Sequence, residues 1–259
     1  VVANNGANSV FLNDGVGTFR SDATWEAVTA MGSGWFTTAL ALGDVNGDGT
    51  LDLILANREK NESVSGPGQF GANQFQLLIN NGSAFVSSSV FNGSSAVANA
   101  LALGDVNGDG ALDLVVGNAA PNDANNRMRP SANYLFLNNY GVSSTSARSS
   151  TLTGFMQDNR TLISSVASDR TTFMVSLADF DNDGDLDLFV VNYGAVNELW
   201  WNKGDGTFVA DTTTSILGIG ANPDFGAVVA DLDRDGDIDV LSASYDRIAW
   251  HENTDGAGT

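Results

Sequence analysis

The stretch "GDVNGDGTLDLILAN" (residues 43–57) places three aspartates and an asparagine within nine positions and then runs straight into apolar residues. The pattern returns as "GDVNGDGALDLVVGN" from Gly104, "ADFDNDGDLDLFVVN" from Ala178 and "ADLDRDGDIDVLSAS" from Ala230. The first aspartates, Asp44, Asp105, Asp179 and Asp231, stand 61, 74 and 52 residues apart, so the chain is built from repeats with connections of variable length. A second element follows each copy: "FQLLINNGSAF" (75–85), "NYLFLNNYG" (133–141), "NELWWNKGDGTF" (197–208) and "RIAWHENTDGAGT" (247–259). A fifth, "SVFLNDGVGTF" (9–19), has no acidic loop before it.

Each unit reads as four short strands. An apolar run such as "WFTTALAL" enters the acidic loop, "LDLILAN" leaves it, and a hairpin with an Asn/Gly turn supplies the third and fourth strands. Such units are the pattern of propeller blades, whose sheets stack face to face and bury both sides. The expected fold is all-β, a β-propeller of four-stranded blades with about five blades visible, in approximate units 1–34, 35–95, 96–169, 170–221 and 222–259 of a single domain. Helix is confined to at most one turn in "TWEAVTAM". The first unit lacks its first strand and loop, and the last lacks its fourth strand. These gaps do not complement each other, so the chain is expected to be part of a longer one with two further blades.

Within each loop the side-chain oxygens fall at positions 1, 3, 5 and 9, with a backbone carbonyl available at position 7. The four ligand sets are Asp44, Asn46, Asp48, Thr50 and Asp52; Asp105, Asn107, Asp109, Ala111 and Asp113; Asp179, Asp181, Asp183, Asp185 and Asp187; and Asp231, Asp233, Asp235, Asp237 and Asp239. Glycine at position 6 permits a sharp turn. Hard divalent cations take six to eight oxygens in flexible geometry, and this spacing wraps a short loop around one ion as the first part of an EF-hand does. Calcium fits best, at about four ions per chain. Magnesium demands tighter octahedral geometry, and transition metals recruit His or Cys, of which the chain has one and none. An EF-hand proper needs a glutamate at position 12, where the first three loops carry the apolar Leu55, Val116 and Val190, and strands rather than helices flank the loops. A single "DG" stretch reads equally well as a solvated turn; four copies keeping the same positions do not.

The loops hold 16 of the 31 acidic residues of a chain whose formal charge is −20. Four divalent ions carry eight positive charges and would bring −20 to −12. That excess of acid excludes nucleic acid and anionic membranes as partners. Extracellular calcium modules bind at about 10⁻⁴ to 10⁻³ M. At about ten times the dissociation constant each site adds roughly 1.4 kcal/mol, so four add about 6, comparable with the 5–15 kcal/mol of a typical domain. With no cysteine the chain has neither disulfides nor thiolate metal sites. No apolar run approaches the length of a transmembrane helix.

The motif "DxDxDGxxD", followed by "LDLxxxN" and "LxxNxGxGTF", resembles the FG-GAP and VCBS repeats of integrin α-subunit propellers, cartilage acidic proteins and many secreted bacterial and algal proteins. Residues 178–208 and 247–259 are especially similar to the VCBS form. The resemblance implies a propeller, usually of seven blades, with calcium in the turn between the first and second strands of a blade, and an extracellular or cell-surface location.

Recognition is expected on the face opposite the acidic loops, where segments 58–73, 119–132 and about 142–171 are expected to form long connections on a rigid scaffold. Arg127 and Arg129 are candidates for an acidic glycan or carboxylate, or for pairing with neighbours such as Asp123. Asn61, Asn81, Asn92 and Asn159 begin N-x-S/T sequons. His251, the one histidine, has no nameable catalytic partner. Trp200, Trp201 and Trp250 read as a sugar-stacking platform or as filling between blades. The expected function is an extracellular adhesion, protein-interaction or structural assembly module with a protein or glycan ligand. A glycan-binding lectin is the alternative, a polysaccharide lyase comes third, and no catalytic residues are assigned.

Overall fold

The computed structural model describes residues 1–4, 8–21, 35–59, 73–92, 97–119, 132–138, 155–163, 171–193, 195–212, 224–254 and 256. They form strands only, in five antiparallel sheets that follow one another along the chain. Sheet I pairs β1 (Phe11–Asn13) with β2 (Phe19–Ser21), extended by an isolated bridge between Val2 and Ser9. Sheet II is β3 (Trp35–Gly43), β4 (Asp52–Glu59), β5 (Asn73–Asn80) and β6 (Phe85–Asn92). Sheet III is β7 (Val97–Gly104), β8 (Asp113–Ala119), β9 (Asn133–Asn138) and β10 (Phe155–Ile163). Sheet IV is β11 (Thr171–Ala178), β12 (Asp187–Tyr193), β13 (Glu198–Asn202) and β14 (Phe208–Ala210). Sheet V is β15 (Asp224–Ala230), β16 (Asp239–Ser244) and β17 (Ile248–His251).

The second strand of each four-stranded sheet is apolar without alternation because both of its faces are covered. In β4, Leu53 and Leu55 point into one core with Leu78 and Phe85, while Ile54 and Ala56 point into another with Phe75, Leu114, Val116 and Phe136. In β8, Val115 turns the opposite way, joining Leu135, Val175, Leu188, Val190 and Trp200 between sheets III and IV. Phe189 and Val191 continue the series into a core with Ala227 and Val240 of sheet V. The period of two thus deals residues alternately to neighbouring cores, and successive sheets stack face to face. The first strands β3, β7, β11 and β15 adjoin one another in that order.

Small residues set the approach of the sheets. A Cβ on Gly43 would lie 2.8 Å from Leu112 Cδ1 and 2.9 Å from Leu103 Cδ1 of the next sheet. One on Gly104 would lie 2.7 Å from Leu186 and 2.8 Å from Leu177. In the third copy the same place holds Ala178, which packs with Val229 and Ile238 against the core shared by sheets IV and V.

Both ends of the stack expose apolar side chains. Phe11, Leu12 and Phe19 are exposed on sheet I, and Val228, Ile248 and Trp250 on sheet V.

The structure corrects one expectation about the connections. Residues 142–171 are not one long loop, since β10 lies inside that span and supplies the fourth strand of sheet III. Phe155 pairs with Asn138, whose N–H is held by Asp113, so β9 ends and β10 begins at the acidic-loop end of the sheet. The fourth strand expected directly after the element at 133–141 is β10, which begins only at Phe155. The segment "TWEAVTAM", Arg127, Arg129 and most of 58–73 and 119–132 lie outside the described residues.

Candidate metal centres

Each acidic loop joins the first strand of its sheet to the second, and the position-9 aspartate opens the second strand. Pairing of Gly43 with Asp52, Gly104 with Asp113, Ala178 with Asp187 and Ala230 with Asp239 closes the four loops at their base. Side-chain oxygens turn inward onto the loop's own amides. Asp44 accepts from the Asp48 N–H (3.0 Å) and the Gly49 N–H (2.8 Å), and Asp105 and Asp179 accept from Asp109 and Gly110 and from Asp183 and Gly184. Asp231 accepts from Arg234 and Gly236. At position 3, Asn46, Asn107, Asp181 and Asp233 accept from the position-5 amide, and at position 5, Asp48, Asp109, Asp183 and Asp235 accept from the position-7 amide of Thr50, Ala111, Asp185 and Asp237.

Position 4 carries a requirement that sequence reading missed. Gly47, Gly108, Asn182 and Arg234 all have positive φ, at 71°, 71°, 58° and 71°. Two glycines in the same place in the first two copies were the available signal.

The position-9 aspartates are buried, with Asp52 and Asp113 at 0 % exposure. Each carboxylate takes one backbone N–H per oxygen. Oδ2 accepts from position 2, namely Val45 (3.1 Å), Val106 (3.1 Å), Phe180 (3.0 Å) and Leu232 (3.1 Å). Oδ1 accepts from an asparagine ending or following the third strand: Asn80 (2.9 Å), Asn138 (2.8 Å), Asn202 (2.9 Å) and Asn253 (2.9 Å). Each oxygen keeps a second lone pair. Burial, only partly offset by these amides, pushes the Asp113 and Asp187 carboxyls up to about 6, and raises Asp52 as well. Asp48 is lowered, chiefly by the Thr50 hydroxyl that donates to it at 2.6 Å.

The residues present fit a hard cation. Carboxylate oxygens of Asp179, Asp181 and Asp187 lie within 4.8 Å of one another, as do those of Asp231, Asp233 and Asp235. In the first two loops Asn46 and Asn107 replace one carboxylate, each donating its amide to the position-5 aspartate. The donors are all oxygen, and buried carboxylates raised by desolvation are stabilised by a positive charge.

The other predicted residues are dispersed. Trp200 is buried between sheets III and IV, Trp201 packs against the core of sheets IV and V, and Trp250 is half exposed on the outer face of sheet V. They form no common platform. His251 lies on β17 with Nε2 3.4 Å from Ser242 Oγ, and burial lowers its pKa. Asn81 sits in the exposed β5–β6 turn, Asn92 ends β6 and Asn159 lies in β10, while Asn61 is outside the described residues.

The FG-GAP-like repeat model matches residues 1–55 and 179–242, and the FG-GAP repeat model matches residues 97–127. The chain is an FG-GAP repeat protein. The matched segments include all four acidic loops of this repeat protein. Among solved structures it is similar to the rhamnogalacturonan lyase YesW (16 % identity, TM-score 0.50, 93 % of this chain and 43 % of that one). It is also similar to the exotype rhamnogalacturonan lyase YesX (14 % identity, TM-score 0.51, 93 % of this chain and 42 % of that one). The FG-GAP repeat chain thus spans less than half the length of either, and at these identities the likeness is one of fold. No curated protein matches its sequence. Among the described residues no helix is long and apolar enough to cross a membrane.

Proposed function

We propose that this FG-GAP repeat protein is a calcium-braced β-propeller, a single domain or part of a seven-bladed ring, serving outside the cell as an adhesion, protein-interaction or structural assembly module. The observation that carries this reading is the fourfold recurrence of one loop geometry at the same end of successive face-packed sheets. Asp44, Asn46, Asp48, Asp52 and their counterparts hold about four Ca²⁺ ions, with position 7 offering its carbonyl. A bound ion supplies the positive charge that the buried position-9 carboxylates lack. The apolar faces of sheets I and V are the surfaces on which further blades stack. The scaffold is not an enzyme in this reading, and its ligand, protein or glycan, meets the end opposite the acidic loops.

A second reading, a glycan-binding lectin, is favoured by an aromatic group at that opposite end. Phe225 stands edge-on to Tyr245 at 4.3 Å, and Phe173 lies 5.1 Å from Tyr193 and 6.0 Å from Phe225. Tyr245 is 70 % exposed, presenting a ring to which sugar faces adhere. The likeness to rhamnogalacturonan lyases adds a third reading, polysaccharide cleavage.

Thermal melts in calcium and in chelator, a glycan array, and a cleavage assay on rhamnogalacturonan separate the three. Calcium-dependent melting with no glycan signal and no cleavage supports the assembly module. A sugar-dependent shift abolished by Tyr245→Ala supports the lectin, and release of oligosaccharides supports the lyase.

A further inference from the structure

The four acidic loops are joined by one continuous run of hydrogen bonds. The side-chain amide of Asn138 in sheet III donates to the Val45 carbonyl in the loop of sheet II at 2.9 Å. Asn202 of sheet IV donates to the Val106 carbonyl of sheet III at 2.8 Å, and Asn253 of sheet V donates to the Phe180 carbonyl of sheet IV at 2.9 Å. Each accepting residue occupies position 2, whose own N–H is held by the position-9 aspartate of that loop. Each asparagine gives its backbone N–H to the position-9 aspartate of the next loop. The path therefore runs from Asp52 through Val45 and Asn138 to Asp113, through Val106 and Asn202 to Asp187, and through Phe180 and Asn253 to Asp239. It is buried, with Asn138 1 %, Asn202 6 % and Asn253 0 % exposed.

Two further contacts lie beside it. Asn182 in the third loop donates to Asp237 in the fourth at 2.8 Å. A Cβ on Gly206, in the hairpin turn of sheet IV, would touch Val106 and Asn107 of the preceding loop at 3.6 and 3.7 Å. Asn80 supplies an internal contrast, because it gives its N–H to Asp52 and its side-chain amide to the Leu51 carbonyl of its own loop, and sheet I has no acidic loop to reach.

We infer that Asn138, Asn202 and Asn253 are positioning residues that couple adjacent metal sites, so that filling one loop with calcium strengthens binding at the next. This rests on the calcium reading above. An ion at positions 1, 3, 5 and 9 fixes the position-9 carboxylate. Through it the ion also fixes the asparagine backbone and the position-2 peptide shared with the preceding loop. The second ion then orders less backbone, which is positive coupling without a change of fold.

The test is a calcium titration of the whole chain by calorimetry and near-UV dichroism, for the wild type, Asn202→Ala and Asn80→Ala. The wild type and Asn80→Ala are expected to fill cooperatively. Asn202→Ala, which cuts the path in the middle, is expected to fill as two separate groups, with coupling across the cut reduced about 5-fold or more. Independent filling of the wild type overturns the coupling and leaves the calcium sites standing, whereas no uptake at millimolar calcium overturns both. Equal behaviour of Asn80→Ala and Asn202→Ala also overturns it. Should Asn202→Ala fail to fold, Asp183→Asn decides, since its exposed side chain lies off the path. Weaker hydrogen-exchange protection of the Val106 amide, which closes the neighbouring second loop, in the calcium-loaded variant supports coupling, and unchanged protection overturns it.

Discussion

Replacing Asp113 by asparagine separates the two roles of the position-9 carboxylate. The side chain is fully buried and accepts N–H groups from Asn138 at 2.8 Å and Val106 at 3.1 Å. Without metal, burial makes the charged form unfavourable, with the carboxyl pushed up to about 6 from 3.8. At neutral pH that corresponds to roughly 3 kcal/mol, which Asp113→Asn removes. The variant also turns an NH₂ group toward one of the two donors and orphans it, at a cost of about 1–3 kcal/mol. The two effects nearly cancel, so in chelator the melting temperature should stay within a few degrees of wild type. In calcium at about a hundred times the dissociation constant, loss of one site removes roughly 2.7 kcal/mol. That is about 5–11 °C for a chain of this size. Asp113→Ala, which leaves both N–H groups without an acceptor, should melt lower in both buffers. Scanning calorimetry with calcium and with chelator reads all three. An equal drop for Asp113→Asn in both buffers would refute the reasoning, because the loss would then owe nothing to a metal.

Several measurements probe other parts of the structure. Asp113 and Asp187 titrate near 6 in the folded, metal-free chain and near 3.8 when unfolded, so the folded state holds more protons between those values. Metal-free stability should therefore fall as pH rises from about 4 to about 6.5 and level off above that, while the gain from calcium grows, and a metal-free melting temperature rising over that interval would contradict this. Gly104→Ala should destabilise by about 1–3 kcal/mol through overlap with Leu177 and Leu186, with partial recovery on adding Leu177→Val; unchanged melting would show that the sheets can separate freely. Arg234→Gly relieves a side chain held at φ 71° and should stabilise by about 0.5–1 kcal/mol in denaturant titration, and destabilisation would point to a role for the arginine itself.

Much of this architecture was legible from residue spacing. The acidic loops announce themselves by oxygens at positions 1, 3, 5 and 9, and runs such as "LDLILAN" are apolar at every step because Leu53 and Ile54 face different cores. The position of β10 was not legible, since the chain between Asn138 and Phe155 hides the return of the fourth strand from any local turn signal. Nor was the role of Asn138, Asn202 and Asn253, whose partners lie 93, 96 and 73 residues away. The recurrence of Asn80, Asn138, Asn202 and Asn253 in the third-strand element was the trace they left. Spacing gave the position-9 aspartates as ligands, whereas the structure shows them first as the buried acceptors that close each loop onto its sheet.

If the repeated acidic loops exist to hold calcium, equilibrium dialysis against millimolar calcium followed by elemental analysis will find the metal on the folded chain. About four ions per chain are expected, falling by about one with each of Asp48→Asn, Asp109→Asn, Asp183→Asn and Asp235→Asn. A chain that remains folded and retains no calcium at that concentration would contradict that expectation.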